Sequence, residues 1–270
     1  MSLLLRAGTW DAVTPAEGGW SNLSFRVLRV DGRASLETAD EEVVIVPLGG
    51  DAIVRADGVD AEVGGRENVF AGLPRSLYLP RETGAEIEGR AELALCGARA
   101  ERRRGVRPIP PGEVEIEVRG SGNATRQISH IVKPEFPAER ILVVEVYTPA
   151  GNWSSYPPHK HDEERGEEEA VLEETYYFRT RPGQAGAFAV QRLYSARHGL
   201  DLTETVRDGD LLLVPYGYHT TAAAHGYDLY YLNALAGDRR TMQAADDPDL
   251  AWIRPAWREL EPDPRVPVVT

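Results

Sequence analysis

The sequence has one cysteine, Cys96, in 270 residues. A single thiol excludes an intrachain disulfide and a cysteine metal cluster. Long apolar runs are missing too, and none approaches the about 18 residues that a membrane-spanning helix needs. The start, Met1 to Arg6, places no basic segment ahead of an apolar stretch, so it does not read as a secretory signal. Basic charge is scarce: 30 Lys and Arg stand against 43 Asp and Glu, a net charge of −13. A surface of that sign disfavours a non-specific grip on nucleic-acid phosphates. The expectation is a cytoplasmic protein with neither nucleic acid nor membrane as partner. A small anionic ligand stays open, because it needs only one or two local cations. Histidine is nearly absent from the first half; of six, only His130 precedes residue 150.

What is present is enough to build a core. Hydrophobic residues make up 42% of the chain, with five Trp, eleven Tyr and five Phe, which excludes a wholly disordered chain. The length suits two domains of about 150 residues or one larger β domain. The dominant pattern is short apolar or alternating strands between turns. Leu23 to Val30 is followed by a turn at Asp31-Gly32, Glu42 to Pro47 by Leu48-Gly49-Gly50, and Ala52 to Ala56 by Asp57-Gly58. Ser76 to Pro80 and Ala91 to Cys96 continue the series. Asp-Gly and Gly-Gly between such runs are hairpin signals. Ala98 to Gly112 carries Arg102, Arg103, Arg104 and several prolines without periodicity, and reads as a connection. Strands resume at Val114–Val118, Arg126–Val132, Arg140–Tyr147, Thr175–Phe178, Ala187–Tyr194, Thr203–Val206, Asp210–Val214 and Tyr227–Asn233. Leu250 to Leu260 suits a short helix or a packed tail. The expected fold is all-β, with two antiparallel β-barrels in tandem, residues 1–112 and 113–270. The pattern leaves the oligomeric state open, a homo-oligomer included.

Five histidines lie beyond residue 150. The sharpest feature is His159-Lys160-His161. In extended chain, residues i and i+2 point to one side, so both imidazoles can enter one cavity and hold one metal, with Lys160 turned away. A carboxylate from a neighbouring strand should join them, and Glu173 or Glu174 at the head of an apolar strand offers it. A fourth ligand comes from His219, which ends Pro215-Tyr216-Gly217-Tyr218-His219 after a buried strand. Three imidazoles and one carboxylate suit Mn, Fe, Co, Ni or Zn without choosing among them. His130, His198 and His225 read as hydrogen-bonding or surface residues. Glu167, Glu168 and Glu169 read as a solvated loop face.

These motifs resemble the cupin superfamily, whose small barrels carry a first motif Gly…His-x-His…Glu and a second Gly…Pro-x-Gly…His. The corresponding residues are Gly151, His159, His161 and Glu174, then Gly209, Pro215, Gly217 and His219. The resemblance therefore implies a tandem cupin, or bicupin, of jelly-roll barrels with Glu174 as the carboxylate ligand. The gap from His161 to that Glu is lengthened by the acidic segment 162–170. Residues 151–162 (GNWSSYPPHKHD), 172–177 (LEETYY) and 226–237 (GYDLYYLNALAG) are similar to the 5-deoxy-glucuronate isomerase family of bacterial inositol catabolism. Residues 46–50 (VPLGG) and 76–80 (SLYLP) resemble its N-terminal half. That family is related to 5-keto-4-deoxyuronate isomerase. The resemblance implies one divalent metal ion in the second barrel, a structural first barrel, and a small uronate as substrate. It implies conversion of 5-deoxy-D-glucuronate to 5-dehydro-2-deoxy-D-gluconate, an aldose–ketose isomerisation by proton transfer or hydride shift. Arg126 or Arg192 could grip the substrate carboxylate, Arg126 being preferred for its polar surroundings, and Tyr176, Tyr218 and Tyr230 could donate to its oxygens. The alternatives are an isomerase of another uronate, an iron-dependent bicupin dioxygenase, and a non-enzymatic sugar-binding cupin.

Overall fold

The computed structural model describes residues 2–270. Three antiparallel sheets make up its frame. The N-terminal sheet runs, in spatial order, Ala12–Val13, Leu23–Glu37, Gly84–Arg99, Glu41–Ala56, Ser76–Leu79 and Arg107–Ile109, with Val59–Arg66 paired to Glu41–Ala56. The large C-terminal sheet runs Leu4–Leu5, Leu211–Val214, Glu173–Thr180, Leu229–Ala236, Ile141–Thr148, Arg126–Val132 and Glu115–Arg119. The small C-terminal sheet runs Leu200–Val206, Ala189–Ser195, Tyr218–Ala223, Trp153–Lys160 and Ala245–Asp246. The all-β, antiparallel expectation holds. Closed barrels do not: each sheet is open, and the two C-terminal sheets meet face to face. Val144, Tyr176 and Tyr231 from the large sheet pack there with Ala189, Leu193 and Val206 from the small one.

The large C-terminal sheet is buried on both faces, which explains its nearly unbroken apolar strands. In Ile141–Thr148, Val143 and Tyr147 face the N-terminal half, whereas Val144 and Val146 face the small sheet. The central core joins the halves, Phe25, Val44 and Val46 packing with Tyr177, Leu213 and Leu232. Each such side chain contributes about 1.5–3 kcal/mol when fully buried.

Two expected turns lie inside strands. Asp31-Gly32 belongs to Leu23–Glu37 and pairs with Arg90 and Gly89. Leu48-Gly49-Gly50 belongs to Glu41–Ala56, with a bulge between Pro47 and Gly49. The glycines let long strands pass close to one another instead of reversing. A Cβ on Gly89 would lie 2.4 Å from the Asp51 carbonyl oxygen. Each long strand thereby serves two packing layers: Phe25 faces the central core and Val30 the core within the N-terminal half. Asp57-Gly58 is the expected turn, and both residues have positive φ. Val59–Arg66 and Tyr218–Ala223 are strands that the sequence pattern did not reveal. Ile253–Ala256 and Trp257–Glu259 form the expected short helical segment.

The halves share one connectivity. In the N-terminal sheet, the strands beginning at Leu23, Gly84, Glu41 and Ser76 lie side by side, taken first, fourth, second and third in chain order. In the large C-terminal sheet, those beginning at Ile141, Leu229, Glu173 and Leu211 repeat that order. The leading strands are exchanged. Leu4–Leu5 pairs with Leu211–Leu212 of the C-terminal half, and Arg107–Ile109 pairs with Ser76–Tyr78 of the N-terminal half. No helix among the described residues is long and apolar enough to cross a membrane.

Candidate active site

Strand pairing assembles a histidine and carboxylate cluster between the two C-terminal sheets. His159 lies directly opposite His219 across Trp153–Lys160 and Tyr218–Ala223. The register slips between Ser154 and His159, where Pro157 and Pro158 have no backbone N–H to offer a ladder. His161 follows at the end of that strand, and Glu174 enters from the head of Glu173–Thr180. The His219 ring centroid is 4.7 Å from that of His159 and 5.1 Å from that of His161. One ligand atom each from His161, Glu174 and His219 lie within 4.8 Å of one another.

Backbone carbonyls face the outer ring nitrogens. Nδ1 of His161 lies 2.9 Å from the Leu172 carbonyl oxygen, Nδ1 of His219 lies 3.1 Å from that of Gly217, and Nδ1 of His159 lies 3.4 Å from that of Pro157. Donation at Nδ1 leaves each Nε2 as a lone pair for a metal. Glu174 Oε2 is 2.9 Å from His161 Nε2. It is 3.2 Å from His219 Nε2 but out of line for a hydrogen bond, so that fully buried nitrogen has no hydrogen-bond partner. Burial, reinforced by His219 and His161, holds His159 well below the usual imidazole range. Burial also acts against charge on His161, but Glu174 outweighs it and raises the imidazole. Burial pushes the Glu174 carboxyl up, yet His161 and His219 draw it down to about 2. The cluster thus favours one added positive charge beside an ionised carboxylate. An orphaned buried imidazole nitrogen and a carboxylate are what a divalent cation requires, and the residues fit one.

The cluster opens on a cavity of about 110 Å³. Val144, Val146, Leu172 and Leu235 supply an apolar wall, and Ser155, Tyr176, Tyr231 and Asn233 supply polar atoms. Ser155 Oγ lies 3.0 Å from the Tyr176 hydroxyl and 3.3 Å from that of Tyr231. Burial raises both phenols above their ordinary range. Three arginines also line the cavity. Arg119 is held by Glu117 at 2.6 and 2.8 Å, and Arg254 is held by Asp246. Arg126 is only 3% exposed and donates to the Ala124 and Tyr156 carbonyl oxygens at 3.1 and 3.2 Å. No described carboxylate lies within ion-pair distance of it. Burial, with Arg119 and Arg254 adding repulsion, pushes the guanidinium down to about 10, so it is charged at neutral pH and uncompensated.

The KduI/IolB family pattern matches residues 6–253. The chain belongs to the KduI/IolB family. It is 42% identical over 247 residues to the 5-deoxy-glucuronate isomerase of Geobacillus kaustophilus, covering 89% of each chain. Identity to that of Bacillus subtilis strain 168 is 37% over 248 residues, covering 89% of this chain and 91% of the other. The crystal structure of an IolB-like protein from Salmonella typhimurium LT2 matches with a TM-score of 0.89 at 36% identity, covering 94% of this chain and 100% of that one. Bacillus subtilis oxalate decarboxylase, studied for its Mn(II) centres, matches with a TM-score of 0.60 at 15% identity, covering 87% and 74%; that likeness is one of fold alone.

Within this KduI/IolB chain, His159, His161, Glu174 and Arg126 line one cavity, and His219 joins His161 and Glu174 in the adjoining cluster. Tyr218 and Tyr230 do not. Each neighbours a residue that faces the site, and alternation turns it to the opposite face of its strand. Tyr218 packs on Tyr194 with centroids 5.6 Å apart. Tyr230 is buried between the halves, donating to Glu145 Oε1 at 2.8 Å, and Glu145 in turn pairs with the fully buried Arg66. Tyr231 takes the place expected of Tyr230. The signal for it is Asn233: one polar residue in an apolar strand marks the cavity face, and Tyr231 is two positions away. Glu173 faces the N-terminal half and accepts from the backbone N–H groups of Ser21, Asn22 and Leu23. Arg192 lies outside the cavity and pairs with Asp201. His130 pairs with Glu117, His198 stacks on Tyr216, and His225 is exposed. Glu169 is fully buried, contrary to its reading as part of a solvated face. It accepts from Lys160, Arg165 and two backbone N–H groups, which satisfies its charge.

Proposed function

We propose that this protein is a cytoplasmic aldose–ketose isomerase that converts 5-deoxy-D-glucuronate to 5-dehydro-2-deoxy-D-gluconate with one divalent metal ion. The observation that carries this reading is the pairing, in one cavity, of a buried His/Glu cluster with Arg126, a buried cation that has no carboxylate partner. A uronate has an aldehyde end and a carboxylate end, and these two features match them. The named activity of relatives that span nearly the whole chain supports the same substrate. The free, buried Cys96 suits a reducing compartment. We also read residues 1–112 and 113–270 as tandem cupins with exchanged leading strands, on the strength of their repeated strand order. Only the second has the ligands; the interior of the first is filled by Val43, Ile45, Val54 and Leu77.

His159, His161, Glu174 and His219 would hold the metal. A bound divalent cation supplies Lewis acidity to a carbonyl oxygen and the adjacent hydroxyl oxygen. The reaction moves the carbonyl from C1 to C2: C2 loses a hydrogen, C1 gains one, and the hydroxyl proton passes from O2 to O1. Arg126 fixes the far carboxylate through its guanidinium, which sets the reacting carbons against the cluster. Tyr176 and Tyr231 remain protonated and donate hydrogen bonds to substrate oxygens. The wall of Val144, Val146, Leu172 and Leu235 excludes water and strengthens these contacts.

The test is conversion of 5-deoxy-D-glucuronate by the purified protein, followed by proton NMR, with metal content measured alongside. Turnover that stops with a chelator and returns with one divalent ion is the expected result. Turnover unaffected by complete metal removal would overturn the role given to the cluster. Bound metal with oxygen uptake instead of isomerisation would favour the dioxygenase alternative.

A further inference from the structure

The acidic insertion between His161 and Glu174 is folded onto the site. Asp162 Oδ1 receives Lys160 Nζ at 2.5 Å, and Glu169 Oε1 receives the same ammonium at 2.8 Å. Glu169 Oε1 also accepts from the N–H groups of Asp162 and Glu163 at 2.9 and 3.0 Å, and Arg165 Nε donates to Oε2 at 2.9 Å. Two acidic and two basic side chains thus close a knot beside the site. Lys160 and Asp162 are only 12% and 13% exposed. The second oxygen of Asp162 reaches across to the other ligand motif, where the Gly217 N–H donates to Oδ2 at 2.7 Å. Gly217 is the residue whose carbonyl faces His219 Nδ1 at 3.1 Å. Its φ is +94°, and a Cβ there would lie 2.7 Å from the Tyr194 carbonyl oxygen, so the turn tolerates little else.

We infer that Asp162 is a positioning residue for His219. It pins Gly217 from one side while the Gly217 carbonyl fixes the tautomer and ring angle of His219 from the other, and Lys160 and Glu169 hold the Asp162 carboxylate in place. The insertion is then a brace between the His-x-His strand and the Pro-x-Gly-x-His loop. This rests on reading His159, His161, Glu174 and His219 as the metal site. Outer partners that orient a metal-bound imidazole typically change affinity by about 10–100-fold when lost.

The experiment titrates Co(II) into the full-length protein, freed of metal, against a competing chromophoric chelator, and records the visible spectrum of the Co(II) form. Asp162→Ala is expected to weaken Co(II) binding by about 10–100-fold and to shift the Co(II) bands. Asp162→Asn keeps an oxygen for the Gly217 N–H and is expected to stay within about threefold of wild type, with an unchanged spectrum. Glu167→Gln, at an exposed position of the same insertion, should match wild type. If Asp162→Ala does not fold, Lys160→Met loosens the Asp162 carboxylate and should shift the same bands. Wild-type affinity and spectrum in Asp162→Ala, or in Lys160→Met where that is the variant read, would overturn the inference. A wild-type protein that takes up no Co(II) would overturn the reading of the metal site itself.

Discussion

Glu42 and Glu173 cap each other's halves. Glu42, in the N-terminal half, accepts from the backbone N–H groups of Glu139, Arg140 and Ile141 at 2.8, 2.6 and 2.9 Å, where the first central strand of the C-terminal half begins. Glu173, in the C-terminal half, accepts from those of Ser21, Asn22 and Leu23 at 2.6, 2.9 and 2.7 Å, where the matching N-terminal strand begins. Each carboxylate heads the second strand of its own set, so the contacts are related as the strand orders are. Two halves joined in this reciprocal way should unfold together.

Removing either carboxylate leaves three strand-start N–H groups without their partner. Glu42 is fully buried and also receives the Tyr78 hydroxyl at 2.8 Å. Glu42→Ala is expected to cost about 3–4 kcal/mol in chemical denaturation, whereas Glu173→Ala, at a wetter position, costs about 1–2 kcal/mol. Metal content separates the adjacent glutamates: Glu173→Gln keeps bound metal and Glu174→Gln loses it. Metal loss in Glu173→Gln would reverse their assigned roles.

This pair also marks what the sequence could convey. Two acidic residues at the head of an apolar strand announce that one is buried for a purpose, and alternation says that they face opposite ways. Local spacing does not say which way is inward, because the strand is buried on both faces. The same limit misplaced Tyr230, whose strand has no solvent face to set the phase. His159, His161 and His219 were legible because imidazoles two apart on a strand and at a strand end are short-range signals. Arg254 was not, since it reaches the cavity from a C-terminal segment that no strand periodicity links to the site. Glycines at 32, 49 and 50 read as turns, although long paired strands can use them to bend.

Tyr231 and Tyr230 give a paired test of the phase of that strand. Tyr231→Phe removes a hydroxyl that lines the cavity and is expected to lower kcat/KM by about tenfold, the effect of one lost hydrogen bond near 1.4 kcal/mol. Tyr230→Phe removes a donor from Glu145, which keeps Arg66, and should cost about 1–2 kcal/mol of stability with kinetics unchanged. The reverse pattern in steady-state kinetics would restore Tyr230 to the site.

Among the described residues that line the cavity, Arg126 is the cation whose charge no carboxylate answers. Arg126→Ala is expected to raise KM for the uronate by about 100-fold, the range of a lost charge-assisted contact, while metal content stays near one per chain. Arg126→Lys should fall between, because an ammonium cannot bind a carboxylate with two parallel N–H groups. Kinetics unchanged in Arg126→Ala would move carboxylate recognition to Arg119 or Arg254.

Glu117 tests how charge is distributed at the same end of the cavity. It meets His130 Nε2 at 3.0 Å and Arg119 Nε at 2.6 Å. The hydrogen bond from His130, aided by Arg119 and opposed by burial, draws its carboxyl from 4.5 to about 2. The folded state therefore holds the ionised form more tightly than the unfolded chain. The stabilisation is complete above pH 4.5 or so and is lost as the pH falls towards about 2. Such a shift corresponds to about 3 kcal/mol, but Glu117 is 35% exposed, and solvent screening reduces it to about 1 kcal/mol. Glu117→Gln should lower stability by that amount at pH 7, and the gap should narrow in denaturant titrations at pH 4 and again at pH 3. A gap constant from pH 7 to pH 3 would assign the contact to packing. A gap that narrows shows that the folded state holds Glu117 ionised between His130 and Arg119, so that Arg119 is answered by a carboxylate while Arg126, among the described cavity residues, is not.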